Sequence, residues 1–367
     1  MRIKTQMVTL GVLLSLAALA NAFDEQGVEV MPRPDSHYVL RWKQAGPVDV
    51  LESKQPDAKA AAMRLLAKQD RAGTLDVRVA GRGRPYFMLR AEDGSTYRTA
   101  ERLLPLDGGS NFRDLGGYPG AGGKHVRWGL LYRSGAMPKL TDEDYKYLAN
   151  LHIKVLCDLR TVDERQLSPT QWRAKPRALY TSVDYPGDAL FDQLQGLNGP
   201  EHEIVVERLY ANFPALLKRQ FKAIFDDLLA RRVPLAFNCS AGQDRTGLAA
   251  GLILTALGTP REVIYADYLL SAQDRRPSNE VSDVDLQKYV DSNAAAKFLL
   301  AQRTAQNSTP PHQAAQPPPL MNTRGQPLLQ TAFDKIEADY GTIDNYLSRE
   351  LGVISQDIVK LRALYLE

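Results

Sequence analysis

One short stretch, FNCSAGQDRTG at residues 237–247, holds a cysteine and, six positions later, an arginine. If a strand precedes it and a helix follows, the backbone N–H groups of 240–245 curl around a point above the helix N-terminus, where an anion is favoured. These donors would stabilise the Cys239 thiolate and make it a nucleophile at neutral pH. The loop therefore predicts a phosphate site in which Cys239 attacks phosphorus and becomes a phosphocysteine.

The other residues of the loop have roles that follow from their chemistry. Arg245 carries a planar fork that can hold two equatorial phosphate oxygens as charge spreads in the transition state. Gly242 lets the loop turn tightly toward the ligand, and the Thr246 hydroxyl is placed to assist sulfur as the leaving group. The predicted phosphate-binding residues are Ser240, Ala241, Gly242, Gln243 and Thr246.

Two carboxyl groups are candidates for the general acid that protonates the leaving oxygen. Asp244 lies inside the loop, and Asp158 ends the VLCDLR strand, which would reach the same end of a parallel sheet. The sequence favours Asp244. The alternative for Asp158 is a structural ion pair with a nearby arginine such as Arg160 or Arg133.

Further segments accompany the loop in order along the chain. They are NFRDLGGY, LLYRSGAMPKLTDEDYKYL, KVLCDLRTVDE, YADYLLSAQ and DYGTIDNYLSRELG. With the cysteine, five residues and arginine of the loop, they resemble the bacterial protein tyrosine phosphatase family, which also includes exported phosphotyrosine and phosphoinositide phosphatases. The resemblance runs from about residue 106 to the C-terminus. It implies a cysteine-phosphatase fold, with a central, mostly parallel sheet flanked by helices. It also implies an enzyme that hydrolyses phosphotyrosine in proteins without a cofactor.

Two loop positions depart from the family pattern. Asn238 stands where the family usually has histidine, and its amide can still donate a hydrogen bond that orients the loop. Gln243 stands where the family often has lysine, whose charge favours heavily phosphorylated inositol rings. The sequence therefore favours phosphotyrosine, with phosphoinositide or dual-specificity phosphatase activity as the alternative.

Several residues outside the loop are expected to support it. Asn111, Arg113 and Asp114 in NFRDLGG are predicted to brace the loop through hydrogen bonds and not to take part in chemistry. Cys157 lies on a strand that could neighbour the one ending at Cys239. A reversible bridge protecting the nucleophile and a small buried apolar side chain are the two hypotheses for it. The five histidines show no metal-ligand spacing, so no metal site is predicted.

Two other functions could use a cysteine loop of this kind. A rhodanese-type sulfurtransferase also places a cysteine loop against a sheet, but the DRTG ending and the NFRDLGG segment speak against it. The second alternative is a module that binds phosphate without turnover, in which Asn238 and Gln243 would mark the loss of activity. Such a module has no need for both Cys239 and Arg245, yet both are present.

The segments on either side of residue 107 differ in texture. Short alternating runs over 23–106 predict a small β-sandwich of six or seven strands, like an immunoglobulin or fibronectin-III domain, although AKAAAMRLLAKQ favours a helix by propensity. It holds no titratable cluster, and it could recruit a protein partner. Alternating strands and helices over 107–367 predict an α/β catalytic domain. Its Pro/Gln-rich stretch 301–326 is predicted to be a mobile loop, as an idle surface insertion or alternatively as a lid.

The first 22 residues have the pattern of a signal peptide. Arg2 and Lys4 precede an apolar run that is too short to span a bilayer, and small residues follow at Ala20 and Ala22. We expect cleavage after Ala22, a periplasmic or secreted protein, and no stable membrane span. The net charge of +3 gives no field that would imply nucleic acid as a partner. The expected substrate is a phosphorylated protein or lipid.

Overall fold

The computed structural model describes residues 28–43, 46–81, 83–194, 197, 201–307 and 320–367. The predicted signal peptide and its cleavage point lie outside these residues. No helix in the described ranges is both long and apolar enough to cross a membrane.

The N-terminal part is built from two antiparallel sheets. One has the order β1-β2-β5 and the other β4-β3-β6-β7. Leu40 of one sheet and Val50, Phe87 and Leu89 of the other are fully buried in a single shared core. This is the small β-sandwich expected from the alternating runs. The strands are β1 (Glu29–Arg33), β2 (His37–Arg41), β3 (Val48–Ser53), β4 (Arg64–Asp70), β5 (Thr74–Arg78), β6 (Tyr86–Ala91) and β7 (Thr96–Ala100).

The helix favoured for AKAAAMRLLAKQ is wrong. A single 3-10 turn covers Ala60–Ala62, and Arg64–Asp70 then forms β4. This strand pairs antiparallel with β3, with Leu65 opposite Leu51. Pairing along a sheet edge therefore overrides the helix propensity of alanine, leucine and lysine, which is only a weak preference.

A five-stranded sheet with the order β11-β10-β12-β9-β8 forms the centre of the C-terminal part. Four strands run parallel, and only β8 is antiparallel, so the predicted mostly parallel sheet is confirmed. Phe237 packs in the core on one face and Ala236 in the core on the other. Burial on both faces explains why these strands are continuous apolar runs. The strands are β8 (Arg113–Asp114), β9 (Leu131–Ser134), β10 (Val155–Asp158), β11 (Leu179–Ser182) and β12 (Leu235–Asn238).

Helices cover both faces of this sheet. Helix α6 follows β12 directly and ends at Gly258, whose positive φ of 83° is the expected helix stop. The long apolar stretch around Pro214 is divided into α4 and α5, which meet at Leu217, as the proline suggested. The helices are α1 (Asp142–Ala149), α2 (Val162–Leu167), α3 (Asp188–Phe191), α4 (His202–Leu216), α5 (Lys218–Leu229), α6 (Asp244–Leu257), α7 (Arg261–Leu269), α8 (Ser271–Asp274), α9 (Ala294–Asn307), α10 (Leu328–Tyr340), α11 (Ile343–Leu351) and α12 (Ser355–Tyr365).

The predicted loop at 301–326 is wrong at both ends. Helix α9 continues to Asn307, because its alanine- and leucine-rich sequence is a good helix former and Ala295 and Ala296 pack in a buried cluster. At the other end Leu320 is buried in the main core, and the Asn322 amide donates to Glu207 at 3.0 Å. Residues 308–319 lie outside the described part.

Candidate active site

The cysteine loop lies at the carboxyl edge of the parallel strands, between β12 and α6. In the strand register Asn238, the last residue of β12, is opposite both Asp158 and Ser134, the last residues of β10 and β9. Loops that follow these strands therefore meet above the same edge, where open α/β sheets bind their ligands.

Only glycine fits at position 242. Its φ is +65°, and a Cβ atom built there would lie 2.4 Å from the backbone nitrogen of Gly135 and 2.5 Å from the carbonyl oxygen of Ser134. Both neighbours are backbone atoms that cannot rotate away. The loop is therefore pressed directly against the chain that follows β9.

Donors from outside the loop bind its carbonyl groups. The Asn111 amide donates to the carbonyls of Ala241 at 3.1 Å and Gly242 at 2.8 Å, and Arg133 donates to the carbonyl of Gly242 at 2.8 Å. The Ala136 N–H donates to the carbonyl of Ser240 at 2.8 Å. These bonds fix the orientation of the loop's peptide groups.

The loop's own N–H groups remain available. Within the described ranges, the N–H groups of residues 240–245 donate to no protein acceptor. Consecutive free donors at the start of a helix form an anion-binding cradle. Cys239, Ser240, Ala241, Gln243, Asp244 and Arg245 all line one cavity of about 280 Å³ in front of this loop.

Arg245 is aimed by a carboxylate that the sequence reasoning missed. Both of its terminal nitrogens donate to Glu164, each at 2.7 Å, and Tyr185 lies 3.0 Å away. Ser240 also donates to Glu164. Burial by itself would raise the pKa of Glu164, but the Arg245 charge and these hydrogen bonds outweigh it and lower the pKa to about 2.

A local signal for Glu164 was present in the sequence. Thr161 and Glu164 form a reciprocal capping box at the start of α2, and a threonine followed three residues later by glutamate is the sequence pattern of such a box. The pattern predicts a helix start, but it does not predict the contact with Arg245.

Asp244 is held at the mouth of the loop. Its Oδ1 atom accepts hydrogen bonds from the Tyr210 hydroxyl and, at 3.0 Å, from the Gln243 amide. Tyr210 is fully buried and lies 2.6 Å from the hydroxyl of Tyr268. The Oδ2 atom of Asp244 has no partner in the described part of the chain, and the half-buried side chain lines the cavity. This carboxyl group is therefore positioned to exchange a proton with a bound ligand.

Asp158 is committed to a buried ion pair. Its carboxylate accepts hydrogen bonds from Arg160 at 2.7 Å and from Tyr180 at 2.9 Å. The Asn238 amide also contacts it at 3.5 Å. Burial would raise the pKa of Asp158, but the Arg160 charge and hydrogen bonds dominate and lower it. An acid needs a proton to give, so the structural ion pair, with Arg160 and not with Arg133, describes Asp158 better than the alternative general acid does.

Arg113 and Asp114 are neighbours in sequence, but their side chains contact different parts of the structure. Arg113 forms a buried ion pair with Asp267 at 3.1 Å, beside the Asn111 side chain that holds the loop. Asp114 accepts from Arg84 of the sandwich at 2.5 Å and from the Gly129 N–H. The expectation that Asp114 braces the loop is therefore wrong, because it joins the sandwich to the catalytic sheet.

The two cysteines are both free. Cys157 is opposite Phe237 in the register, so Cys239 is two residues further along and one strand across, which places the two Cα atoms roughly 8 Å apart. A disulfide needs less than about 7 Å. The Cys157 thiol instead contacts Thr181 at 3.3 Å and Asp227 at 3.5 Å. The geometry favours the hypothesis of a buried, inert side chain.

Two more observations complete the site. Arg275, just beyond the YADYLLSAQ segment, donates to the Gln243 side chain at 2.8 Å and is paired with Glu280 at 2.8 Å. Thr246 is fully buried, and its hydroxyl has no hydrogen-bond partner among the residues described. No cluster of metal-ligating side chains occurs in those same ranges.

Comparison with known proteins agrees with this geometry. The profile of the Tyrosine phosphatase family matches residues 104–367. A Cupriavidus necator protein that carries the name of a tyrosine-protein phosphatase is 32% identical over 72% of this chain and 88% of its own. The triple specificity protein phosphatase PtpB of Mycobacterium tuberculosis is 26% identical over 73% of this chain and 99% of its own.

Solved structures match as well. TpbA of P. aeruginosa, in complex with phosphotyrosine, is 18% identical over 49% of this chain and 90% of its own, with a TM-score of 0.23. The assignment rests on the sequence matches, which span the sheet, the cysteine loop and the C-terminal helices. The chain belongs to the tyrosine phosphatase family and is a protein-tyrosine phosphatase.

Proposed function

We propose that the protein hydrolyses phosphotyrosine in proteins through a phosphocysteine on Cys239. The observation that carries this proposal is the set of free N–H groups over 240–245, which lies in one cavity with Cys239, Asp244 and Arg245. This arrangement supplies a nucleophile, an anion cradle and an acid within one loop.

The first half of the reaction forms the covalent intermediate. The Cys239 thiolate attacks phosphorus while the bond from phosphorus to the tyrosine oxygen breaks. Asp244 gives its proton to that oxygen, and Arg245, aimed by Glu164, holds two equatorial phosphate oxygens. The free N–H groups of the loop stabilise the remaining charge of the phosphoryl group.

The second half releases phosphate. Water attacks the phosphocysteine, and the Asp244 carboxylate takes one of its protons. The bond from sulfur to phosphorus breaks, and the Cys239 thiolate is restored together with inorganic phosphate. Neither half requires a metal ion or a cofactor.

Substitution of Cys239 tests the proposal. Cys239→Ser should retain the folded structure, bind phosphotyrosine peptide and release no phosphate. Rapid denaturation during turnover should trap a phosphoryl group on cysteine only in the wild-type protein. Turnover that persists in Cys239→Ser would refute the mechanism. Tight binding of phosphopeptide by the wild type without phosphate release would instead favour a binding module.

The substrate range can be measured on the same protein. A panel of phosphotyrosine peptides, phosphoserine peptides and phosphoinositides separates the main proposal from dual-specificity or phosphoinositide activity. One relative carries the name of a triple specificity protein phosphatase, which supports testing more than one class of substrate. A thiosulfate-to-cyanide assay tests the sulfurtransferase alternative, for which the family assignment offers no support.

We also propose that the protein is exported, on the strength of the N-terminal signal pattern. Expression of the full chain should yield a periplasmic or secreted protein that begins at Phe23. An unprocessed N-terminus in the cytoplasmic fraction would contradict this.

A further inference from the structure

The cavity in front of Cys239 continues into a chamber with apolar walls, which we call the apolar chamber. Its walls come from α3, α4, α9 and the start of α10, and include Leu190, Phe191, Leu209, Phe213, Phe298 and Leu328. Leu190, Leu209, Phe213 and Leu328 are buried. These elements are distant in sequence, so the chamber is a product of the tertiary fold and not of one amphipathic helix.

The polar groups of the cavity lie together on the side of the cysteine loop, and several already have protein partners. Arg160 is paired with Asp158, Arg275 with Glu280, and Arg245 with Glu164. Among the described residues that form its walls, the apolar chamber offers no comparable partner for a peptide amide or a sugar hydroxyl. Burying such groups there would cost free energy, so a ligand in the chamber should be apolar.

The cavity is larger than a tyrosine side chain requires. Its volume is about 280 Å³, whereas an apolar protein cavity of about 150 Å³ already holds a benzene ring. A phenyl ring therefore accounts for only about half of this volume, and the phosphate in front of the cysteine loop occupies part of the rest. An extended hydrocarbon group would fill the remainder and gain the free energy of leaving water.

Building on the proposed Cys239 chemistry, we propose that the apolar chamber binds the hydrocarbon chain of a lipid phosphomonoester, a phosphorylated long-chain alcohol. The phosphate occupies the cysteine loop and the chain extends toward α4 and α9. Sulfur attacks phosphorus, the bond to the alkyl oxygen breaks, and Asp244 supplies the proton that converts the alkoxide to the alcohol. Water then releases inorganic phosphate from the cysteine.

A chain-length series tests the inference. Ethyl, butyl, hexyl and octyl phosphate are compared below the concentrations at which they form micelles, with phosphate release as the readout. Each added methylene buried in the chamber should raise kcat/KM roughly fourfold, and octyl phosphate should exceed butyl phosphate by on the order of 100-fold. Values of kcat/KM that do not depend on chain length would overturn the inference. That result is also the one expected if a segment of this protein fills the chamber.

A phosphotyrosine peptide measured in parallel separates this result from the proposed function. Turnover of the peptide with a flat alkyl series refutes only the lipid substrate. No turnover of either refutes the Cys239 chemistry on which it rests.

Two tryptophan variants on one helix provide the matched pair. Val206 lines the cavity, whereas Ile204 is 61% exposed on the same helix. Val206→Trp should narrow the chamber and lower the octyl-to-butyl ratio of kcat/KM at least about tenfold, while Ile204→Trp should retain the wild-type ratio. Equal loss on both chain lengths in Val206→Trp would count against the chamber. If that variant does not fold, the wild-type series still decides.

Discussion

Replacing Glu164 by glutamine removes the charge that aims Arg245 while keeping the shape of the side chain. In the wild type the pKa of Glu164 falls from its ordinary 4.5 to about 2, and each tenfold change in proton affinity is worth about 1.4 kcal/mol. The carboxylate form therefore contributes about 3 kcal/mol to the free energy of unfolding at neutral pH. Breaking a buried ion pair by removing one partner costs about 3–5 kcal/mol, which is the same range.

The pH dependence of this contribution has a definite sign. A carboxyl group whose pKa is lowered by folding stabilises the protein above its unfolded pKa and loses that effect as the pH falls toward its folded pKa. The contribution is thus complete above about pH 5, and about 2 kcal/mol of it is lost by pH 3. Glu164→Gln has no such titration, so its stability deficit should shrink by that amount between pH 7 and pH 3.

Urea unfolding at pH 7, 5, 4 and 3 measures the difference in the free energy of unfolding between the wild type and Glu164→Gln. Glu262→Gln, at an exposed position, serves as the control. At pH 7, kcat on a phosphotyrosine peptide should also fall by on the order of 100-fold, because Arg245 is no longer aimed at the phosphate. A stability deficit that stays constant across this pH range, or full activity in Glu164→Gln, would refute the reasoning.

Three further predictions concern the loop itself. Asp244→Asn should lower kcat on a phosphotyrosine peptide by at least about 100-fold. The loss should be far smaller on an aryl phosphate whose phenol leaves without a proton. Equal losses of kcat on the two substrates would exclude Asp244 as the acid. Tyr210→Phe removes the hydroxyl that holds Asp244 and should reduce kcat by up to about 100-fold with little change in KM, whereas a change in KM alone would point to a role in binding. Gly242→Ala places a methyl group against backbone atoms. The variant should lower the free energy of unfolding by at least about 1 kcal/mol and abolish turnover. A wild-type urea midpoint together with full activity would contradict this geometry.

Much of the site could be predicted because its central residues are contiguous. Cys239, Asp244 and Arg245 lie within one strand, loop and helix, so the periodicity of the flanking segments was enough to place the anion cradle. The parallel sheet was also predictable, since its strands are short apolar runs separated by helical patterns.

The residues that aim the chemistry are far from the loop in sequence. Glu164 is 81 positions from Arg245, and Tyr210 is 34 positions from Asp244. No periodicity links such pairs, because their contact depends on how the helices pack on the sheet. The apolar chamber has the same origin.

By itself, the sequence of this protein determined the cysteine loop, the order of its strands and helices, and a sandwich followed by an α/β region. Only the tertiary structure decided which charged groups face each other. Arg113 and Asp114 show why: adjacent residues of a strand point to opposite faces of the sheet, so one reaches Asp267 near the loop and the other Arg84 of the sandwich. The strand could be predicted locally, but what lies on each of its faces is set by the rest of the chain.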